Sequence, residues 1–268
     1  MHVRAIPTRR QPLILVTNDD GIGQPGMMAL TRAMTGLGEV VVVAPALEQS
    51  AIAHAITIHG PIRAQSHTFG DGLGHIRALS IEGTPADCMK LALNNLLPRL
   101  PDLVVSGINR GANTAINVLY SGTVGAATES SIRGIDSIAF SLCSKRSDEY
   151  DAAARYAGEI ASKVLRSRLP RGIVLNVNVP DLPYDEIKGV RVTRLAHSRW
   201  TEDFIERMDP NSRPYYWYQG TFENRDTGTD TDVYAISEGY VSMTPIQYDL
   251  TAHGCLGVLR TWQWTEPA

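Results

Sequence analysis

Leu13-Ile14-Leu15-Val16-Thr17-Asn18-Asp19-Asp20-Gly21-Ile22 is the stretch on which the reading of this chain turns. Its apolar, mostly branched half lacks the alternation of a half-exposed strand and reads as a strand buried on both faces. It stops abruptly in two adjacent carboxylates and a glycine. In an open α/β sheet the carboxyl ends of the strands are where ligands bind. Asn, Asp and Gly are also turn formers in their own right, so these residues alone serve a turn and a site equally well.

Outward from this stretch the pattern repeats. Pro25 and Gly26 open a segment, Met27 to Met34, with apolar residues at helical intervals, and Gly36 and Gly38 close it. Proline is well placed in a first helical turn. Val40-Val41-Val42-Val43-Ala44-Pro45 is a second buried strand, and strand, helix, strand at this spacing make a βαβ unit with parallel strands. Ile56-Thr57-Ile58 and His75 to Leu79 read as short strands. Thr84-Pro85-Ala86-Asp87 is a helix start, with Thr as N-cap, Pro at the first helical position and Asp favouring the dipole. Asp102 to Val105 is a strand running into a polar loop, Ser106 to Asn113; small residues at Gly125, Ala126 and Ala127 mark a helix packed closely on the sheet. Ile135–Leu142 and Ile173–Pro180 are further strands, with a long amphipathic helix over Asp148–Arg168 between them. After His197 the aliphatic residues thin out, and Trp200, Tyr215, Tyr216, Trp217 and Tyr218 suggest a hairpin or arm. Asp230 to Ile236 reads as a short helix, and Gly239–Pro245 as a strand returning to the main sheet. The organisation is an N-terminal extension (1–12), a core (13–197), and a C-terminal arm with its returning strand (198–268) in the same functional unit.

With 268 residues and a formal net charge of -3, the chain can bury a large core and offers no electrostatic argument for a nucleic-acid polymer or an anionic membrane. Its three cysteines, Cys88, Cys143 and Cys255, are scattered, without the spacing of a zinc site or a disulfide framework. They are expected as buried small apolar residues in a reducing compartment. Arg4, Arg9 and Arg10 precede no secretory apolar region, and no window reaches the ~18–20 apolar residues of a membrane span. The expectation is a cytoplasmic protein.

The polar residues at the strand ends converge on one sheet edge: Asp19 and Asp20 after the first strand, Ser50 after the second, Asn109 and Asn113 after the strand at Asp102–Val105. They offer only oxygen ligands, a set suited to a hard divalent cation such as Mg²⁺ or Mn²⁺, which also relieves the repulsion between adjacent acids. Singly, Ser50 and the asparagines are ordinary loop residues. Ser121-Gly122-Thr123 precedes a helix, where free N–H groups can hold a phosphate, although a plain Ser or Thr N-cap is the commoner use of such residues. No GxGxxG opens a helix after the first strand and no GxxxxGK[ST] is present, which excludes dinucleotide and P-loop readings. Asp19-Asp20-Gly21 is not the Asp-x-Asp of a phosphoaspartate phosphatase, and Ser106 stands where a receiver domain needs an acceptor Asp. A cation beside a phosphate points to phosphoryl chemistry. The rival reading is a nucleotide or phosphate sensor that binds without turnover.

Five segments together resemble the SurE family, the stationary-phase survival proteins: Val16–Ile22; Val43-Ala44-Pro45 with Gln49-Ser50; Gly83–Cys88; Val105–Asn109; and Tyr120–Ala127. Tyr215-Tyr216-Trp217 and Gly239–Pro245 fit the family's C-terminal part, so the resemblance spans nearly the whole chain after Pro12. It implies a Rossmann-like, mostly parallel sheet with flanking helices, and a C-terminal β-hairpin arm that joins subunits into a dimer or tetramer. It also implies a metal-dependent phosphomonoesterase acting on nucleoside 5′- and 3′-monophosphates, some members also cleaving short polyphosphate. On the matching positions Asp19, Asp20, Ser50 and Asn109 are the ligands of one divalent cation per subunit. Asp19, Asp20 and Asn113 form the catalytic set, and Asn113 with Ser121, Gly122 and Thr123 holds the phosphate. The chain departs from the family in its basic N-terminal stretch, in Ala51 and in Ser130, none of them a proposed ligand.

Overall fold

β1 (Leu13–Thr17) is buried along its whole length, as its unbroken apolar run requires. In the computed structural model, which describes residues 10–144 and 146–262, it is an interior strand, the fourth of nine in the main sheet. Arg4 and Arg9 of the basic N-terminal stretch lie outside the described residues. After β1 come α1 (Pro25–Met34), β2 (Glu39–Pro45), β3 (Ala64–His67), β4 (Arg77–Ile81), α2 (Pro85–Leu91) and β5 (Leu103–Arg110). Then follow α3 (Gly122–Ile132), β6 (Ser137–Cys143), α4 (Asp151–Ser167), β7 (Ile173–Pro180) and β8 (Val190–Val192). The chain continues with β9 (Ser198–Met208), β10 (Pro214–Asn224), α5 (Asp232–Ser237), β11 (Val241–Gln247) and α6 (His253–Arg260).

The main sheet has nine strands in the order β3-β4-β2-β1-β5-β6-β7-β11-β8. The run from β4 to β7 is parallel throughout, while β3 and β11 pair antiparallel to β4 and β7. The connections run outward from β1 in one direction through β2 and β4, and then in the other through β5, β6 and β7. The order therefore reverses between β1 and β5, and a doubly wound sheet opens a crevice at such a point, outside the carboxyl ends of the strands. β1 alternates its contacts. Ile14 and Val16 pack with Met27, Leu30 and Ile160 of α1 and α4, and Leu13 and Leu15 pack with Cys88, Met89 and Ala126 of α2 and α3. With both faces covered, each of these side chains contributes about 1.5–3 kcal/mol, so the acids after β1 stand on a rigid support.

Some expectations are corrected. Ile56-Thr57-Ile58 forms no strand: Ile56 and Ile58 are exposed, and the Thr57 N–H and hydroxyl donate to Asp87 instead of to a ladder, at 2.9 and 2.6 Å. The polar segment after Val105 is not a loop from Ser106 onward. β5 continues through Asn109 and Arg110, with a register shift against β6 between Ser106 and Asn109. Gly107, at φ +130°, takes up that irregularity, a conformation that favours glycine. Cys88 is buried as expected, but Cys143 is only partly so and Cys255 is exposed on α6.

β9 and β10 form a separate two-stranded sheet that displays aromatic side chains to solvent on both faces, Tyr215 and Trp217 on one and Tyr216 and Tyr218 on the other. A lone two-stranded ribbon is marginal in water, so its base is fastened. Arg194 pairs with Asp226 at 2.5 Å and with Asp230 at 3.0 Å. Fully buried Asp232 accepts hydrogen bonds from the backbone of Ala115, Ala196 and Val233.

Candidate active site

The turn after β1 is built by Asn18, whose side chain donates to the Gly21 carbonyl at 2.8 Å and accepts from the Gly21 N–H at 3.3 Å. This turn presents Asp19 and Asp20 at the crevice. Asp19 is only 5% exposed. Its carboxylate accepts from the Thr123 hydroxyl and faces the backbone N–H groups of Gly122 and Thr123 at the start of α3. Burial pushes its pKa up, and those hydrogen bonds oppose the shift. The contact is close because Gly122 has no side chain: a Cβ there would lie 2.8 Å from Asp19 Cβ and 2.9 Å from Oδ2. Ser121 is the N-cap of α3, its hydroxyl accepting from the Val124 N–H at 3.1 Å.

Asp20 is pushed up to about 7, first by burial, then by the charge of Asp19 and more weakly by Glu48. It is opposed by the Arg110 backbone N–H, which donates to Oδ2 at 3.3 Å, and by the Arg110 charge. Tyr150, buried beside α1, is pushed up to about 12 by burial and by the negative charge of Asp20. β1 and β5 thus bring Asp20 and Arg110 together across the crevice.

Ser50 sits on the loop after β2 and donates to Glu48 at 2.5 Å. The loop is fastened along its length. The Gln49 N–H donates to the Asp19 carbonyl at 2.7 Å, and the Ala53 N–H to the Tyr120 carbonyl at 3.0 Å. His54 Nε2 lies 3.0 Å from Glu129 Oε2, and Lys90 Nζ 2.7 Å from Oε1. Burial pushes Glu129 up, but the hydrogen bonds from His54 and Lys90 outweigh it and hold it below its ordinary value. Further on, Asp87 grips Thr57 while completing a capping box with Thr84. The Thr84 hydroxyl donates to the Ala55 carbonyl at 2.7 Å. The Ser50 loop therefore lies across the first turns of both α2 and α3.

Asn109 projects from the last residues of β5 and donates to the Gly111 carbonyl at 2.7 Å, which leaves its amide oxygen without a hydrogen bond from that contact. Asn113 lies deeper, 7% exposed. It donates to Ser141 at 2.9 Å, and its own backbone is bound by Asn176 and Asn178. Among the proposed site residues, the described contacts join Asp19 with Gly122 and Thr123, whereas Asn113 belongs to a network with β6 and β7. Glu48, Arg110 and Glu129 are functional-site neighbours that the sequence reading does not include. Glu129 lies only two residues past the Tyr120–Ala127 run, and Glu48 precedes Gln49-Ser50 by one.

The donor set fits a hard divalent cation. Two desolvated carboxylates are both pushed toward protonation, and the cationic side chain acting on Asp20 is Arg110. Such a pair lacks positive charge, and hydroxyl and amide oxygens stand on the adjoining loop and strand. Among the described residues no three His, Cys, Asp or Glu side chains gather as ligands; the turn after β1 offers two carboxylates, and the further oxygen donors proposed for the site are those of Ser50, hydrogen-bonded to Glu48, and Asn109.

The fold and this edge define an open α/β protein with an acidic crevice at its switch point. The family model for Survival protein SurE matches residues 14–202, and the chain belongs to the SurE family. It is 48% identical over 259 residues to the 5'-nucleotidase SurE of Christiangramia forsetii, covering 96% of this chain and 99% of that one. It is 49% identical over 257 residues to the 5'-nucleotidase SurE of Cytophaga hutchinsonii, covering 95% and 98%. The crystal structure of the SurE protein from Aquifex aeolicus superposes with a TM-score of 0.79 at 38% identity, covering 93% of this chain and 98% of that one.

Proposed function

We propose that this chain is a divalent-metal-dependent nucleotidase, a phosphomonoesterase that hydrolyses nucleoside 5′- and 3′-monophosphates and short polyphosphate. The observation that carries this reading is the desolvated acid pair at the β1/β5 switch point, with Asp19 against the start of α3. The names of the relatives support nucleotide substrates. Asp19, Asp20, Ser50 and Asn109 would hold one Mg²⁺ or Mn²⁺, which when bound would supply positive charge to neutralise phosphoryl oxygens and acidify water. Asp19 is oriented by Thr123, and Asp20 by the Arg110 backbone. Ser121, Gly122 and Thr123 receive the phosphate at the positive end of α3, and Asn113 holds it from the β6 side. The aromatic side chains exposed on both faces of the arm and the exposed apolar residues of α6 support self-association to a dimer or tetramer. The three free thiols suit the reducing cytoplasm, and no helix among the described residues is long and apolar enough to cross a membrane.

The test is phosphate release from AMP with Mn²⁺ or Mg²⁺, before and after EDTA dialysis, alongside Asp20→Asn. Release that depends on the cation and is lost in Asp20→Asn with an unchanged melting temperature is expected. Release that survives both treatments refutes the metal role, and saturable AMP binding without release makes the protein a sensor.

A further inference from the structure

We propose that Arg110 is a substrate-binding residue that reads the negative charge of the phosphate, and that Asp148 competes with substrate for its guanidinium. The inference rests on the phosphate-ester reading above. Arg110 is the last residue of β5, and its own N–H lies on Asp20 Oδ2. Its side chain therefore starts at the rim of the acid pair. The charged groups that act on Asp20 are Asp19, Glu48 and Arg110, two carboxylates against one cation. A divalent cation balances the Asp19–Asp20 pair and leaves Glu48 to repel an incoming phosphate. Arg110 is the group placed to offset that repulsion, and a guanidinium fork matches phosphate oxygens in pairs.

The present partner of Arg110 is weakly held. Nη1 meets Asp148 Oδ1 through a single contact at 3.2 Å, with the two side chains 47% and 61% exposed. Exposed pairs of this kind contribute little and exchange readily. Asp148 lies in the segment between β6 and α4, two residues before Tyr150, which packs against Gly26 of α1, whereas the Ser50 loop is fastened at the starts of α2 and α3. A single carboxylate on one guanidinium nitrogen occupies the arginine without saturating it, and a phosphate can take both of its forks.

The pair makes opposite predictions for its two members, which a purely structural ion pair would not. With the Mn²⁺-loaded protein, Arg110→Ala is expected to raise KM for AMP and Kd for inorganic phosphate roughly tenfold, the size of one charge-assisted contact. Asp148→Ala is expected to lower both by about two- to threefold, because the competing carboxylate is gone. Added salt should raise KM in the wild type and much less in Arg110→Ala. Arg133→Ala, at the far end of α3, is the control. Phosphate binding is read by calorimetry, independently of turnover. If the wild type binds phosphate with this Arg110 dependence but releases none from AMP, the hydrolase reading fails and the role of Arg110 stands. If Arg110→Ala leaves both constants within twofold, if Asp148→Ala shifts them in the same direction as Arg110→Ala, or if the wild type binds no phosphate, the proposal is overturned.

Discussion

Gly122→Ala isolates the contact between α3 and Asp19 better than any change to the acids. Gly122 is the first residue of α3 and its φ is not in the left-handed region, so alanine meets no backbone strain there. The added methyl, however, falls 2.8 Å from Asp19 Cβ, 2.9 Å from Oδ2 and 3.2 Å from Ile52. Carbon atoms rest at about 3.5–4.0 Å, so Asp19 or the Ser50 loop must retreat by about 1 Å. The atom in the way is the Cβ of a short side chain on the Asn18-fastened turn after β1, not the end of a flexible one. Overpacking of this kind costs about 1–3 kcal/mol, partly offset by up to ~1 kcal/mol of helix propensity. Stability should therefore fall by about 0–2 kcal/mol, a few degrees in melting temperature for a domain of this size. A misplacement of ~1 Å in the reacting constellation costs on the order of 100-fold in rate. The expected outcome is a folded protein with kcat/KM for AMP down about 100-fold and a raised requirement for Mn²⁺. A variant that keeps kcat/KM within threefold of wild type would show that Asp19 does not need its place against α3.

Three further substitutions test the supports of the site. Glu129→Gln removes the charge shared by His54 and Lys90 and should cost about 1.5–3 kcal/mol at pH 7; because folding lowers the Glu129 pKa, that advantage is complete above the unfolded value of about 4.3 and is lost as pH falls through the folded one. Urea unfolding of both proteins at pH 7 and at descending pH below 4 reads this, and a gap that does not narrow as the pH falls refutes it. Asp87→Ala removes the α2 capping box and the grip on Thr57; a loss of about 2 kcal/mol with weaker Mn²⁺ binding is expected, and unchanged cation affinity would show that the loop is positioned without it. Asp232→Asn sets an amide donor among three backbone donors and should cost about 1–3 kcal/mol, with thermal melting equal to wild type as the refuting result.

What could be read from the residues follows from the range of the forces involved. β1, β2 and the helix start at Thr84 were legible because burial on both faces and end-capping leave local marks: branched runs, and Thr-Pro-Ala-Asp in order. The continuation of β5 through Asn109 was not, because Ser106, Asn109 and Arg110 look like loop residues until β6 pairs with them. Ile56–Ile58 has a strand's composition, but the edge position went to β3, and Thr57 was taken by an aspartate thirty residues away. Asp19 and Asp20 were legible as an edge pair, whereas the Arg110 backbone on Asp20 and the salt links of Glu129 are contacts between distant segments. Cys255 is exposed for a similar reason: helix α6 buries no residue within a single chain.

The Ser50 loop leans on the first turns of two helices, so the cation binding proposed for it would be one equilibrium with local unfolding. A cation that binds only the fastened loop must, by mass action, slow the opening of everything the loop is fastened to. Amide protons in the first turns of α2 and α3, remote from the cation along the chain, should therefore exchange more slowly with solvent in its presence. By reciprocity, if the proposed cation binds there, loosening either helix start weakens its binding by the same free energy.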